Sequence, residues 1–400
     1  MIPYGRQDIA QSDIDAVVKV LRSDYLTQGP VVPRFEQAVA ERVKCQHAVA
    51  VNSATSALHI ACLALRLGKG DLLWTVPNTF VASANCGRYC GADVDFVDID
   101  PDTWNLSVAR LREKLALAKK ANRLPNVLVP VHFAGQPTEQ EAIWELSREY
   151  GFKVLEDASH AIGASRHEEP VGSCRWSHIT VFSFHPVKVI TSGEGGMALT
   201  NDDEMAVRMT MLRSHGTTRD PARLCSNVQS GGRSSASIES PPAWYYEQQM
   251  LGFNYRMTDI HAALGMNQLD RLDRYVDRRN TLAEQYNGAL KGLPLRLPHL
   301  QSGNQSAYHL YVVQLKDGET TDAHRRVFDK LRELGIGVNL HYIPVHLQPY
   351  YRELGFSPDQ FPVAEAHGRT AITLPLYAQL SDIEQEHVVG CVRKALAGLA

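Results

Sequence analysis

The chain has 400 residues and 44.4 kDa, more than one ordinary domain, and its 44% hydrophobic and 21% charged residues supply enough apolar surface to offset the entropy of ordering it. Lys plus Arg (41) against Asp plus Glu (44) gives a formal charge of −3 with no basic run, which argues against a nucleic-acid partner. No stretch approaches the roughly 18 apolar residues of a membrane span. The opening MIPYGRQDIAQSDIDAVV has no apolar run of the kind a signal peptide needs, so a soluble, cytoplasmic protein is expected.

From 47 to 200 the text alternates short β-rich runs with longer helical ones, the pattern of βαβ units on a mainly parallel sheet. The runs are HAVAVN (47–52), DLLWTV (71–76), ADVDFVDI (92–99), NVLVPVHF (126–133), FKVLED (152–157), HITVFSF (178–184) and GGMALT (195–200), which predict seven strands. SALHIACLALRL, TFVASANCGRY and TEQEAIWELSREYG are helix candidates between them, and DDEMAVRMTMLR (202–213) follows as another. Residues 226–243 (SNVQSGGRSSASIESPPA) hold almost no large apolar group and read as an exposed insertion. Long helical text covers 257–290 and closes a large α/β domain, 1–290. A smaller C-terminal α+β domain, 291–400, is expected from YHLYVVQL (308–315), a helix near 322–334, GVNLHYIP (337–344) and a last helix after SDIEQEH (381–387).

The seven cysteines (45, 62, 86, 90, 174, 225, 391) are odd in number, scattered and without a CxxC, so neither a disulfide framework nor a zinc site is expected. Cys86 and Cys90, four apart, read as small core residues.

Ligands of an open parallel sheet bind beyond the carboxyl ends of its strands, so the residues delivered there matter most. After the first strand, NSATSALHIA (52–61) opens a helix with small hydroxyl residues; it serves either as a plain cap or as a phosphate cradle. The fifth strand ends in Glu156 and Asp157, where a carboxylate needs donors or a cation, whether as a structural cap or as the partner of a protonated ring nitrogen. The sixth leads into FSFHPVKVITSGEGG (182–196), which sets Lys188 among apolar and small residues ahead of a Gly-rich turn. Burial there favours the neutral amine that attacks carbonyls, although a surface lysine is the commoner case. A Schiff-base lysine, an acid for a pyridinium nitrogen and a phosphate-holding helix terminus at one sheet edge are together what pyridoxal phosphate requires.

These segments, with YLTQGPVVPRFE (25–36) and GFNYRMTDIHAALG (252–265), resemble the DegT/StrS family of pyridoxal-phosphate-dependent nucleotide-sugar aminotransferases, from about residue 2 to the last helix. The resemblance implies the aspartate aminotransferase-like, type I fold. It makes Lys188 the Schiff-base lysine, Asp157 the partner of the ring nitrogen and His160 a donor to the cofactor's phenolic oxygen, where many relatives have Gln. Ala54, Thr55 and Ser183 would hold the phosphate or adjoining substrate groups, and Phe80 would cover the ring or simply pack in the core. Asn254 resembles the Asn that serves the neighbouring subunit's cofactor phosphate, which implies a homodimer with shared active sites. Tyr4, Tyr25, Leu26 and Thr27, with Asn339, Leu340, His341 and Tyr342, stand where relatives contact the sugar nucleotide.

LTQG, SFHPVK and NLHYIP (339–344) are most similar to transaminases of pseudaminic acid synthesis. That likeness implies L-glutamate as amino donor and a UDP-linked 4-keto-6-deoxy N-acetylhexosamine as acceptor. A GDP- or dTDP-linked keto sugar, or a non-catalytic regulator sensing the cofactor or a sugar nucleotide, are the alternatives. Sister 3-dehydratases carry His at the Schiff-base position, so Lys188 argues against their chemistry.

Overall fold

The computed structural model describes residues 1–225, 242–316 and 321–398. The insertion read at 226–243 lies outside the described residues except for Pro242 and Ala243, both exposed. All seven expected strands form: β1 (His47–Val51), β2 (Leu72–Thr75), β3 (Asp93–Phe96), β4 (Val127–Val129), β5 (Lys153–Asp157), β6 (Ile179–Ser183) and β7 (Gly196–Thr200). They make one sheet in the order β1-β7-β6-β5-β4-β2-β3. The strands from β6 to β3 pair in parallel, and β7 runs antiparallel to both its neighbours. Their Val, Ile and Leu side chains are buried on both faces, as a helix-covered sheet requires.

The antiparallel β7 needs no crossover helix after β6. The chain returns through residues 184–195 alone, a loop pinned where Phe184 and Gly195 bond N–H to O at 2.9 Å and where the Ser192 N–H meets the Phe184 carbonyl at 3.0 Å. Lys188 sits in this loop, held from both ends at the carboxyl edge of the sheet.

Helices α1 (Gln11–Leu21), α2 (Val31–Val43), α3 (Ala54–Ala64), α4 (Ala82–Tyr89), α5 (Val108–Lys120), α6 (Gln140–Tyr150) and α7 (Asp203–Leu212) accompany the sheet. Side-chain caps from Ser53, Ser107 and Asp202 start α3, α5 and α7, and Gly151 in the left-handed region ends α6. The helical text at 257–290 divides at Asp270 and Arg271 into α8 (Asp259–Leu269) and α9 (Leu272–Ala289).

In the C-terminal part, Leu295–Arg296, Tyr311–Leu315 and Ala371–Leu374 form a second, antiparallel sheet. It packs with Thr321–Glu333 and Asp382–Ala397 around Tyr311, Ile372, Val388 and Val392, and takes Leu282 and Tyr286 from the later turns of α9. GVNLHYIP contributes a bridge between Asn339 and Thr373, and the third strand comes from AITL, a segment the sequence reading did not single out. One expectation is corrected here. The last helix starts within SDIEQEH, because Ser381 and Glu384 make a reciprocal capping box that begins it at Asp382.

Residues 2–4 join this part: the Ile2 N–H meets the Gly335 carbonyl at 2.9 Å, the Gly337 N–H meets Ile2 at 2.7 Å and the Leu376 N–H meets Tyr4 at 3.0 Å. Among the described residues no helix is long and apolar enough to cross a membrane, and no cluster could hold a metal ion. All seven cysteines are free; Cys62 and Cys86 are core residues, whereas Cys90 is partly exposed.

Candidate active site

A cavity of about 500 Å³ opens at the carboxyl ends of β1, β5 and β6. Twelve of the residues singled out in the sequence line it: Tyr4, Ala54, Thr55, Phe80, Asp157, His160, Ser183, Lys188, Asn339, Leu340, His341 and Tyr342. They come from the large sheet and the segments that follow its strands, from residues 339–342 and from the N-terminal segment together.

Lys188 lies in the cavity wall. Burial lowers its amine from the ordinary 10.5 to about 8, with the charge of Asp157 opposing the shift. Asp157 is 5% exposed, and both its oxygens are bonded: Oδ2 accepts from the Ser83 hydroxyl at 2.6 Å and Oδ1 from the Ser159 N–H at 3.1 Å. The preceding Glu156 points to the opposite face of the strand, as the pleat demands. Burial alone would push its carboxyl up, but His132 at 3.5 Å, Thr180 at 2.7 Å and Gln140 at 2.5 Å hold it below the usual carboxylate range.

The first turn of α3 is a cradle. Ser53 caps the helix through its hydroxyl to the Ser56 N–H, and its carbonyl takes the Ala57 N–H. The Ala54 and Thr55 N–H groups, which have no intrahelical acceptor, remain as donors at the positive end of the helix dipole. A Cβ on Gly196 would lie 2.4 Å from the Ala54 nitrogen, so only glycine lets β7 approach the cradle this closely.

His160 has a fixed tautomer. Its Nδ1 accepts the Ala134 N–H at 3.3 Å, so the ring proton is on Nε2, which faces the Tyr342 hydroxyl at 3.2 Å. Burial, reinforced by the charge of Lys188, keeps this imidazole neutral by holding its pKa well below the usual value. The same causes push His341 down to about 3. Phe80 is 58% exposed, which excludes core packing; its ring stands 6.3 Å from that of Tyr342.

Four sequence candidates are not in this cavity. Tyr25 and Thr27 line a second cleft of about 900 Å³ with Arg213, His215, Arg219 and Arg256. Leu26 is exposed beside them, where its carbonyl takes the Asp259 N–H at 3.0 Å. Asn254 is exposed and bridges Ser214, a residue of the same cleft. The 252–257 segment runs past the cradle, with Tyr255 accepting the Asn52 N–H at 2.8 Å.

The sequence reading missed Ser83, Ser159 and His309. His309 lines the cavity, packs tilted against His160 with ring centres 4.4 Å apart, and has a buried Nδ1 with no partner among the described residues. Ser83, a serine within a helix, and His309, in a bend just ahead of a strand, carry no local signature, whereas Ser159 lies two residues past Asp157 in the turn that follows its strand.

The donor set fits pyridoxal phosphate: two free N–H groups and a glycine-deep cradle for the phosphate, a carboxylate for the ring nitrogen, and an amine of lowered basicity between them. The model of the DegT/DnrJ/EryC1/StrS aminotransferase family matches residues 7–393. The spore coat polysaccharide biosynthesis protein SpsC of Bacillus subtilis is 35% identical over 99% of this chain and 97% of its own length. Among solved structures, Helicobacter pylori PseC, an aminotransferase involved in the biosynthesis of pseudoaminic acid, superposes with a TM-score of 0.87 at 28% identity, covering 99% of each chain. The putative sugar aminotransferase Spr1654 from Streptococcus pneumoniae, in its PMP form, gives 0.88 at 28% identity over the whole of both chains. The chain therefore belongs to the DegT/DnrJ/EryC1/StrS family, has the type I fold, and is a sugar aminotransferase that works with pyridoxal phosphate.

Proposed function

We propose that the protein moves the amino group of L-glutamate to the 4-keto group of a UDP-linked 4-keto-6-deoxy N-acetylhexosamine, in pseudaminic acid biosynthesis, as a cytoplasmic homodimer. The observation that carries this reading is the meeting of Lys188, Asp157 and the α3 cradle in a cavity whose opposite wall is Tyr4 and residues 339–342. When bound, pyridoxal phosphate supplies the carbonyl that takes up the amine and the ring that absorbs the electrons released at carbon. Lys188 would hold it through its amine, which near 8 is also suited to taking up and giving back a proton. Asp157 keeps the ring nitrogen protonated. The His160 Nε2–H, which faces the Tyr342 hydroxyl here, would serve as a donor to the cofactor's phenolic oxygen, and the exposed Phe80 would cover its ring. Ala54, Thr55 and Ser183 hold the phosphate, while Tyr4, Asn339, Leu340, His341 and Tyr342 face the sugar.

A glutamate-dependent assay against a panel of 4-keto sugar nucleotides tests the substrate. Highest kcat/KM with the UDP-linked N-acetylhexosamine is expected. Preference for a GDP- or dTDP-linked sugar would overturn the acceptor assignment, and no amination of any member would favour a regulator.

In the homodimer reading, Asn254, Tyr25, Leu26 and Thr27 serve the partner's site, which accounts for their exposure away from their own cavity. Mixing inactive Lys188→Ala and Asn254→Ala subunits should then restore activity, because a hybrid has one site with both lesions and one with neither. With random exchange about half of the dimers are hybrids, so recovery should approach about a quarter of wild type per subunit. Exchange verified by mass without recovery would put Asn254 in its own chain's site.

A further inference from the structure

Residues 79–83, from the turn after β2 into the first turn of α4, carry three side chains at the site: Thr79, Phe80 and Ser83. Ser83 is 0% exposed, and its hydroxyl lies 2.6 Å from Asp157 Oδ2 and 2.7 Å from the Thr79 hydroxyl. An ionised carboxylate can only accept, so the one hydrogen of Ser83 goes to Asp157. Ser83 must then accept from Thr79, which fixes the direction of the chain as Thr79 to Ser83 to Asp157. The Phe80 carbonyl, 3.3 Å from Ser83 Oγ, is the competing acceptor, and the shorter charge-assisted bond wins. With the Ser159 N–H on Oδ1, each carboxylate oxygen has one fixed donor, which restrains the plane of the group at the cavity that Asp157 lines.

We propose that Ser83, backed by Thr79, is a positioning residue: it orients Asp157 toward the cofactor's ring nitrogen and thereby sets how tightly the ring-protonated cofactor is held. The proposal rests on the reading of Asp157 as the ring-nitrogen partner. It also links two duties in one turn, since the same five residues present Phe80 to the ring's face.

The test titrates pyridoxal phosphate into apoprotein and measures its Kd by equilibrium dialysis, with kcat, KM and the pH response of the bound cofactor's absorption alongside. Ser83→Ala should weaken Kd about tenfold, the scale of one charge-assisted hydrogen bond. It should lower kcat with KM for both substrates within about twofold, and shift the pH response of the absorption band. Ser83→Thr, which keeps the hydroxyl, should recover most of the loss, and Thr79→Val should fall between. Wild-type Kd and spectrum in Ser83→Ala would overturn the proposal. So would equal losses in the Ala and Thr variants that follow their melting temperatures, since packing alone would then explain them. If Ser83→Ala fails to fold, Thr79→Val decides: an unchanged Kd and spectrum overturn the relay. Asp157→Asn separates the two readings. Wild-type cofactor affinity in that variant removes the reading of Asp157 itself, whereas impairment there without any in Ser83→Ala removes only the relay.

Discussion

Replacing Lys188 by alanine should lower turnover by about 10⁴-fold or more, because one side chain supplies both the anchoring amine and the carrier of the transferred proton. Borohydride reduction of the wild-type holoenzyme followed by peptide mapping should find the cofactor on Lys188; a label on another lysine would end the assignment. The same residue has a stability signature in the apoprotein. Its amine is lowered from 10.5 to about 8 by burial, so between those pH values the unfolded chain binds a proton that the folded chain does not. Stability from this group therefore rises with pH across that window, and the full cost of the buried charge is present below about 8. Lys188→Met, of similar length and without charge, should unfold at higher urea than wild-type apoprotein at pH 7 and should lack the rise. Equal urea midpoints at pH 7 would show that the amine is solvated as an ordinary surface lysine.

Asp157→Asn should cut kcat by about 10²-fold while changing the apoprotein's melting temperature little. The amide oxygen can still accept the Ser159 N–H, and its NH2 can donate to Ser83 Oγ once the Ser83 hydrogen turns to the Phe80 carbonyl, so the fold loses little. It lacks the negative charge that holds a ring nitrogen protonated, so the electron-withdrawing power of the ring is what fails. A variant with near wild-type kcat would remove Asp157 from the mechanism, and one that melts far below wild type would mark it as structural.

The large sheet was legible because its strands are short β-branched runs separated by helical text, and each such run became a strand. AITL escaped because four residues running into a proline carry little pattern, and GVNLHYIP adds no strand because Val338 packs in the core, Leu340 and Tyr342 line the cavity and Ile343 is exposed. The cavity residues were legible where a motif holds several together, as in residues 182–196, or where a strand end exposes a charged group, as at Asp157. Ser83 meets Asp157 across 74 residues of sequence, and His309 meets His160 across a longer span still. Such pairings exist only once the strand order is known. Tyr25, Leu26, Thr27 and Asn254 were found by likeness alone, and their common face became visible only through the bridges Thr27–Thr258 and Ser214–Asn254.

The stitching of residues 2–4 to residues 335–376 governs the order in which the cavity can be completed. Tyr4 is made well ahead of the backbone group that holds it, which belongs to a segment more than three hundred residues later in the chain, a delay of roughly twenty seconds to a minute at ordinary synthesis rates. The strands of the large sheet, by contrast, find all their partners within residues 47–200. The nascent chain can thus build the sheet, the cradle and the Lys188 loop while the Tyr4 wall is still missing. Competence to enclose a sugar is therefore acquired after competence to hold the cofactor, and the early segment must stay unpaired and soluble through the interval.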